Sequence, residues 1–402
     1  MTPSVEKWLD TRAVRSQCRT IGRWAELDET RWFQYHSNRL PACIEFVADE
    51  CKRNYPDLNI PYHSRWRHFD IGGVDLWHYY RDRHLSGAEP AAVTRCAIDL
   101  VFVSVLLDAG AGSEWRFIDP VTGESLIRSE GLAAASVDLF FNHLARRHAD
   151  GGLIVDAAAL DALTADTLKT VFQVDSGNAL VGVEGRLELL KGLGACLIEQ
   201  SLDRPADAFS SLLQAPGAAE VSADHLLSAV LQHFNAMWPN GLNYLGSPLG
   251  DAGFYPHLDD ESPYGTIVPF HKLSQWLTYS LFEPIEWAGL IVSEKDGLTG
   301  LPEYRNGGLL LDMGVLTPID ASILAQKLPL ESEPVVEWRA LTVWLLDEIA
   351  QGVRDMLGCD PAQLPLASVL QGGTWSAGRR IASSLRPDGS PPLNLAIDGT
   401  VF

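Results

Sequence analysis

The sequence lacks three features that would point to a membrane, secreted or nucleic-acid-binding protein. Its longest apolar run, residues 97–112, carries Asp99 and Asp108 and is too short to span a bilayer. Its first residues contain no apolar leader segment. Basic residues are scarce, with 31 Lys and Arg against 52 Asp and Glu, and the formal charge of −21 opposes binding to nucleic acids and anionic membranes. We therefore expect a soluble, cytoplasmic protein whose partner is a small molecule.

Common catalytic and cofactor motifs are also absent. The sequence contains no glycine-rich dinucleotide pattern, no Walker loop, no HExxH and no GxSxG. Its six Cys residues show neither a CxxC pair nor zinc-ligand spacing, so we expect reduced and mostly buried thiols. No cofactor is predicted.

Two groups of His and Asp residues invite comparison with metal sites: His63, His68 and Asp70 in one, and His257, Asp259 and Asp260 in the other. Neither group has the paired spacing that turns two imidazoles towards one ion. We therefore favour hydrogen-bonded loop residues over a metal site at both places, and no metal is predicted.

Hydrophobic periodicity predicts a mainly α chain with minor β content. The 402 residues, 46% of them hydrophobic, are enough for one large packed domain, and no linker divides them. Helical spacing covers residues 131–236, 269–289 and 334–357. Residues 91–109 fit either a helix or a buried strand, and residues 26–56 look like two helices broken at Pro41. Short hairpins are expected within 114–131 and, as an alternative to a loop, within 59–77.

The segment TGLPEYRNGGLLLDMGVL, residues 299–316, places Glu303, Tyr304 and Arg305 at the start of an apolar stretch. Burying a carboxylate in such surroundings costs free energy unless it has an oppositely charged or hydrogen-bonding partner. A protein retains an unpartnered one only where its function needs it. One interpretation is a structural pair between Glu303 and Arg305. The other is a functional acid.

Four blocks resemble, in the same order, those of the queuosine-salvage N-glycosidases. The shared residues are Phe172, Asp175, Glu184 and Arg186; Phe270, Lys272 and Gln275; the segment 299–316, with Glu303 where that family has Asp; and Glu337, Arg339 and Ala340. A nearer resemblance, over almost the whole chain, is to the uracil-catabolism family once catalogued as a domain of unknown function. That family carries RHF-x-x-GG, FHKLSQWL-x-YSL, GLPEYRNGGL and a terminal DGTVF much as they stand here.

The resemblance implies an N-ribosyl hydrolase of uracil catabolism. Such an enzyme would cleave the C–N bond of ribosylurea, or of its 5-phosphate, and release ribose or ribose 5-phosphate together with urea. The resemblance also implies a two-lobed helical fold like that of helix-hairpin-helix DNA glycosylases. On this view residues 1–402 form a single catalytic domain, with lobes near 1–170 and 171–402.

Cleavage of a ribosyl C–N bond develops positive charge on the sugar, which a carboxylate can stabilise directly or assist by activating water. The resemblance points to Glu303, Asp175 and Lys272 as catalytic residues. The predicted substrate-binding residues are His68, Phe69, Asp70, Phe270, His271, Tyr304, Arg305, Trp375, Arg379 and Arg380. A second carboxylate is left open between Asp70 and Asp175, because Ser376 stands where the salvage family has an acid.

Two other functions fit the same residues. One is a non-catalytic protein that binds the ligand or a pathway partner. The other is a metal-dependent amidohydrolase that splits the urea group itself.

Overall fold

The computed structural model describes residues 5–112, 114–214, 219–238, 241–258 and 262–396. Helices dominate these residues, and the strands that the described chain contains pair only two at a time. The predicted class, mainly α with minor β, is therefore confirmed.

The helices, in chain order, are α1 (Thr11–Glu26), α2 (Leu40–Asn54), α3 (Leu76–His84), α4 (Pro90–Leu106), α5 (Arg128–Leu139), α6 (Ala157–Ala162), α7 (Ala165–Val171), α8 (Val183–Glu199), α9 (Ser210–Leu213), α10 (Ala223–Phe234), α11 (Lys272–Trp287), α12 (Tyr304–Asp312), α13 (Glu333–Leu357), α14 (Leu366–Val369) and α15 (Trp375–Leu385). Short 3-10 and π turns connect several of them.

The strands are β1 (Phe33–Tyr35), β2 (Asp70–Ile71), β3 (Val74–Asp75), β4 (Phe117–Ile118), β5 (Ser125–Leu126), β6 (Arg146–Arg147), β7 (Leu153–Ile154), β8 (Glu220–Ser222), β9 (Leu242–Tyr244), β10 (Ser247–Gly250), β11 (Ala252–Phe254), β12 (Ile267–Pro269), β13 (Ile291–Ser293), β14 (Leu316–Pro318), β15 (Leu328–Pro329) and β16 (Leu395–Ala396). The antiparallel pairs are β1–β14, β2–β3, β4–β5, β6–β7, β9–β10 and β11–β12. The pairs β8–β13 and β15–β16 are parallel.

Several local predictions can be compared with these elements. The ambiguous stretch at 91–109 is the helix α4, and both expected hairpins form, as β2–β3 and β4–β5. The prediction around Pro41 was wrong, because β1 precedes α2 and Pro41 lies in the first turn of α2. A proline there loses no helical hydrogen bond, so the first turn of the helix accommodates it.

The chain divides into two compact units, each assembled from separated segments. Among the described residues, the first unit comprises 5–63, 242–275 and 294–396, and the second comprises 64–241 and 276–293. Residues 170 and 171, where we expected one lobe to end and the next to begin, lie within α7 of the second unit. The units are thus interleaved along the chain, which a search for a single linker could not reveal.

In the first unit, α13 is the central helix and is buried along most of its length. Glycines allow other helices to approach it closely. A Cβ at Gly22 of α1 would lie 2.5 Å from the ring of Trp344, and one at Gly307 of α12 would lie 2.3 Å from the ring of Trp338. The packing of α12 on α13 fixes the position of the helix that follows Glu303.

In the second unit, α4 is mostly apolar and is buried on every side from Cys96 to Leu106. Its neighbours include α5 and α8. A buried guanidinium, that of Arg65, donates 2.7 Å to Ser104 Oγ of α4 and pairs at 3.0 Å with Asp108. A buried charge is tolerated here because it is paired and hydrogen-bonded.

All six Cys residues are free thiols, as expected. Five are buried and Cys359 is half-buried. Among the described residues, no helix combines the length and the apolar character needed to cross a bilayer.

Candidate active site

Glu303 is the N-cap residue of α12. Its backbone is extended (φ −120°, ψ 171°), and both of its carboxylate oxygens accept hydrogen bonds from the first turn of the helix. Oε2 accepts from the backbone N–H of Arg305 at 2.7 Å, and Oε1 accepts from that of Asn306 at 2.6 Å. These N–H groups, in the first turn of the helix, would otherwise lack partners. Because each carboxylate oxygen accepts one of them, the carboxylate is held in one orientation. Each oxygen keeps a further acceptor position for a ligand or water.

Glu303 is buried, with 9% of its surface exposed. This burial raises the pKa of its carboxyl group above the ordinary value, while the two backbone N–H groups and the charges of Lys272 and Arg305 act in the opposite direction. The guanidinium of Arg305 itself turns to Gly389, whose carbonyl oxygen it reaches at 3.0 Å, and lies 4.9 Å from the ring centre of Tyr304. The structural Glu303–Arg305 ion pair considered above is therefore not formed among the described contacts.

Asp251 organises the segment that leads into α11. Its Oδ2 accepts from the backbone N–H of Lys272 at 2.9 Å, and its carbonyl oxygen accepts from those of Phe270 and His271 at 2.9 and 3.0 Å. Arg339 donates to both carboxylate oxygens, at 2.8 and 2.7 Å. Burial raises the pKa of Asp251, but the charge and hydrogen bonds of Arg339 outweigh it and hold the pKa below the ordinary value. Asp251 is therefore a fixed negative charge.

His271 is strained and buried. Its φ of 49° is rare for a non-glycine residue. Its Nε2 lies 2.8 Å from the carbonyl oxygen of Trp8, so the ring proton belongs on Nε2. Burial lowers the pKa of His271, which favours the neutral imidazole. A neutral ring is a weak proton donor for a leaving group.

The adjoining side chains of this segment are buried as well. Phe270 is fully buried, with the Arg339 guanidinium 4.0 Å from its ring centre. Lys272 is also buried, and its charge is among those that act on Glu303. The structure thus brings Phe270, His271 and Lys272 together around Asp251, and it couples Lys272 electrostatically to Glu303.

The C-terminal helix α15 carries three predicted binding residues in different surroundings. Arg380 pairs at 3.1 Å with the buried carboxylate of Glu50, and its guanidinium lies 3.9 Å from the ring centre of Phe46. Arg379 is exposed and lies 5.8 Å from the ring centre of Trp375, which is half-buried. Arg380 therefore has a structural partner, while Arg379 is the more accessible cation of the two.

The two remaining predicted carboxylates belong to the second unit, and both are exposed. Asp70 begins β2 and stands opposite Asp75 in the hairpin. Asp175 accepts the backbone N–H of Gly177 at 2.7 Å and forms an isolated bridge with Asn178, so it closes a local turn. The turn accounts for the Asp175 carboxylate without a ligand, and Asp70 has a backbone role in the hairpin.

His68 and Phe69 also belong to the second unit. Phe69 is buried, and its ring packs edge-on against Trp66 with ring centres 5.4 Å apart. His68 is half-buried, with its ring 6.1 Å from that of Trp276. Phe69 is therefore a core residue, whereas His68 retains some access to solvent.

Among the described residues, no group of three or more His, Cys, Asp or Glu side chains is arranged to hold a metal ion. His257 of the second His/Asp group lies 3.2 Å from the carboxylate of Glu333. Asp259 and Asp260 of that group lie outside the described residues.

Comparison with known sequences identifies the family. Residues 8–402 match the family described as "Protein of unknown function (DUF1688)". The chain belongs to this family. Two relatives align over almost their full length: Protein urg3 of Schizosaccharomyces pombe, 37% identical over 409 residues and covering 100% of both chains, and Uracil catabolism protein 4 of Lachancea kluyveri, 36% identical over 409 residues and covering 92% of both. The family resemblance inferred from the motifs is confirmed.

Two motifs of this DUF1688 chain are joined by a contact that the sequence did not reveal. Gln275 of α11 donates to Thr299 Oγ1 at 2.7 Å and to the carbonyl oxygen of Phe270 at 2.9 Å, and its Oε1 accepts the backbone N–H of Thr299 at 2.7 Å. The FHKLSQWL segment is thus held by one buried amide to Thr299, which directly precedes GLPEYRNGGL.

Sequence reasoning also missed Asp251, and it noted Arg339 only as part of a matching block. Asp251 follows a short strand in a region of Gly, Pro and Tyr, and nothing nearby in the sequence indicates its partner 88 residues away. The only signal was the matching block around Arg339, since a buried Arg in a mostly apolar helix requires an anionic partner.

Proposed function

We propose that this DUF1688 protein is an enzyme of uracil catabolism that hydrolyses the N-ribosyl bond of ribosylurea or its 5-phosphate. The products are urea and ribose, or ribose 5-phosphate. The pathway assignment is supported by the name of the relative from Lachancea kluyveri, Uracil catabolism protein 4, which aligns over 92% of the chain. The reaction is supported by the surroundings of Glu303.

The observation that carries the proposal is a buried carboxylate held in one orientation, with a raised pKa, under the influence of the Lys272 charge. As the ribosyl C–N bond breaks, the sugar becomes cation-like. Glu303 stabilises this charge and accepts a proton from the attacking water. The water oxygen bonds to the anomeric carbon, the bonding pair leaves with nitrogen, and the proton taken from water replaces the sugar on the urea nitrogen.

A 5-phosphate on the ribose requires fixed cations. Lys272 is a buried point charge, and Arg379 is an exposed guanidinium on α15. α15 packs against α12, since a Cβ at Gly378 would lie only 2.3 Å from the carbonyl oxygen of Arg305. We assign Arg379 rather than Arg380 to the phosphate because Arg379 is the more exposed of the two.

The rest of the predicted site belongs to the same proposal. The two-lobed fold like that of DNA glycosylases and the binding role of His68 are both parts of this proposal. The exposed Asp70 and Asp175 are weaker candidates for a second carboxylate, because each already serves a local turn or hairpin.

One observation favours the non-catalytic alternative, namely that Glu303 has a complete structural role as a helix cap. The distinction is chemical and can be measured. The protein, stripped of metal with a chelator, is incubated with ribosylurea and with ribosylurea 5-phosphate, and urea, ammonia and reducing sugar are each determined.

Urea and reducing sugar in equal amounts support the proposed hydrolase. Ammonia that appears only after a divalent metal is added supports the metal-dependent amidohydrolase. No turnover of either compound, with binding retained, supports a non-catalytic ligand-binding protein.

A further inference from the structure

A cavity of about 860 Å³ lies in the second unit, to which all of its lining residues belong. Its walls come from α3, the first turns of α4, the segment 210–214 and the end of α11. Pockets of this size are typical for small ligands. Neither Glu303 nor Lys272 lines it, so it is a different place from the site described above.

Two tryptophans form one wall of the cavity. The rings of Trp77 and Trp287 are nearly parallel, at 12°, with their centres 6.3 Å apart. Trp77 is buried, whereas 49% of the surface of Trp287 is exposed. An indole that remains half exposed beside a cavity offers a flat surface to a planar ring.

Trp66 packs against both tryptophans of this wall. The ring of Trp66 meets both edge-on, with centres 5.4 Å from Trp77 and 4.7 Å from Trp287. Its indole N–H donates to the carbonyl oxygen of Ser280 at 2.8 Å. This oxygen is available because Pro284, four residues on in α11, has no N–H to donate to it. The wall is therefore preformed.

Two guanidinium groups also line the cavity, in contrast to the acidic character of the chain as a whole. Arg81 and Arg95 line it together with one acid, Asp82, although the formal charge of the protein is −21. Arg81 donates hydrogen bonds from Nε and Nη2 to the carboxylate of Asp82, at 2.9 and 2.7 Å. Arg95 donates one from Nη2 to the carboxylate of Asp150, at 2.9 Å. No described contact uses Nη1 of either Arg, so each has donors left for an anion.

Neutral hydrogen-bonding groups complete the lining. Ser86, Ser210 and Gln214 are among the lining residues. A flat aromatic surface, two guanidinium groups and several hydroxyl or amide groups together match a planar heterocycle joined to a sugar and a phosphate.

We propose that this cavity is a binding site for a nucleotide. The base stacks on the exposed face of Trp287, and the phosphate accepts hydrogen bonds from Arg81 and Arg95. A purely apolar ligand would make no use of the guanidinium donors that Asp82 and Asp150 leave unoccupied, and a simple inorganic anion would make no use of the tryptophan wall. The proposal does not depend on the proposed hydrolase activity, because the two sets of residues do not overlap.

Isothermal titration calorimetry of the full chain tests the proposal with four probes: uridine 5′-monophosphate, adenosine 5′-monophosphate, uridine and ribose 5-phosphate. At least one of the two nucleotides is expected to bind at micromolar to low millimolar concentration. Uridine, which lacks the phosphate, is expected to bind at least tenfold more weakly. Ribose 5-phosphate is the proposed hydrolase product and reports on the Glu303 site, so its binding is expected to be the same in the wild type, Arg81→Gln and Trp287→Leu.

Arg81→Gln and Trp287→Leu are each expected to weaken nucleotide binding at least tenfold. Arg83→Gln is the matched control, because Arg83 is on the same helix but stacks over Tyr79, 3.5 Å from its ring centre. Arg81 is on the surface with an exposed partner, so its variant retains the fold even if Trp287→Leu does not. The proposal is overturned if neither nucleotide binds at 10 mM, if binding survives Arg81→Gln unchanged, or if Arg83→Gln weakens it equally.

Discussion

Asp251 and Arg339 form a bidentate ion pair next to the start of α11, with N···O distances of 2.8 and 2.7 Å. The pair joins a loop before β11 to the central helix α13, and the same carboxylate accepts the backbone N–H of Lys272. One buried interaction therefore fixes both the entry to α11 and the position of the lysine that acts on Glu303.

Replacement of Asp251 by Asn leaves the buried guanidinium of Arg339 without a counter-charge. We expect Asp251→Asn to lower the free energy of unfolding by about 3–5 kcal/mol, as measured by urea denaturation. Asp355→Asn, at an exposed position on the same helix as Arg339, is the control and should change it by less than about 0.5 kcal/mol. Equal effects of the two substitutions would show that the ion pair contributes nothing of its own.

The same pair predicts a pH dependence of stability. Because Arg339 holds the pKa of Asp251 below its value of about 3.9 in an unfolded chain, the ionised pair stabilises the fold fully above that pH. This contribution is lost as the pH falls through the lower, folded-state pKa. The difference in urea midpoint between the wild type and Asp251→Asn should therefore narrow below about pH 4. A difference that stays constant down to pH 3 would contradict the assignment.

Two adjacent glycines in α12 provide a test of the packing that positions Glu303. A Cβ at Gly307 would lie 2.3 Å from the Trp338 ring, whereas one at Gly308 would lie 3.1 Å from the side chain of Pro392. We expect Gly307→Ala to destabilise the protein by about 1–3 kcal/mol through overpacking. Gly308→Ala should be close to neutral, because the helix preference of alanine, up to about 1 kcal/mol, offsets a small adjustment of the proline. Thermal unfolding of both variants checks the prediction, and the reverse order would refute it.

The raised pKa of Glu303 predicts the acid limb of the pH–rate profile. If ionised Glu303 accepts the proton of water, kcat/KM for ribosylurea 5-phosphate rises with pH and levels off above the pKa of Glu303. Because burial raises this pKa, the inflection should lie above the ordinary glutamic acid value of about 4.3. Initial rates between pH 4 and pH 8 measure it. A profile that is already flat at pH 4 would exclude Glu303 as the base.

Local pattern was sufficient for most of the fold and for part of the site. The hairpins at 70–75 and 117–126 have turn residues and short apolar strands next to one another in sequence. The helix α4 could not be distinguished from a buried strand in the sequence. A segment that is apolar almost throughout shows neither the 3.6-residue hydrophobic period of a helix nor the two-residue period of a strand. β1 could not be predicted, since its partner β14 lies about 280 residues away.

The sequence likewise indicated some residues of the candidate site, whereas others became apparent only in the structure. The GLPEYR motif drew attention to Glu303, but its capping role required the backbone geometry of α12. Asp251 was invisible in the sequence because its importance comes from partners in α11 and α13 that are distant along the chain. Asp70 and Asp175 attracted attention through sequence matches, yet both are exposed and have local backbone roles.

The most direct measurement separates the two roles of Glu303, as helix cap and as catalytic acid. Serine is among the best N-cap residues, so Glu303→Ser restores the cap without a carboxylate and should change the free energy of unfolding by no more than about 1 kcal/mol. Glu303→Asp keeps both cap and acid and should retain measurable turnover. For Glu303→Ser we predict near-normal stability and a fall of at least about 100-fold in kcat for urea release from ribosylurea 5-phosphate. A folded Glu303→Ser protein with near-normal kcat would contradict the account.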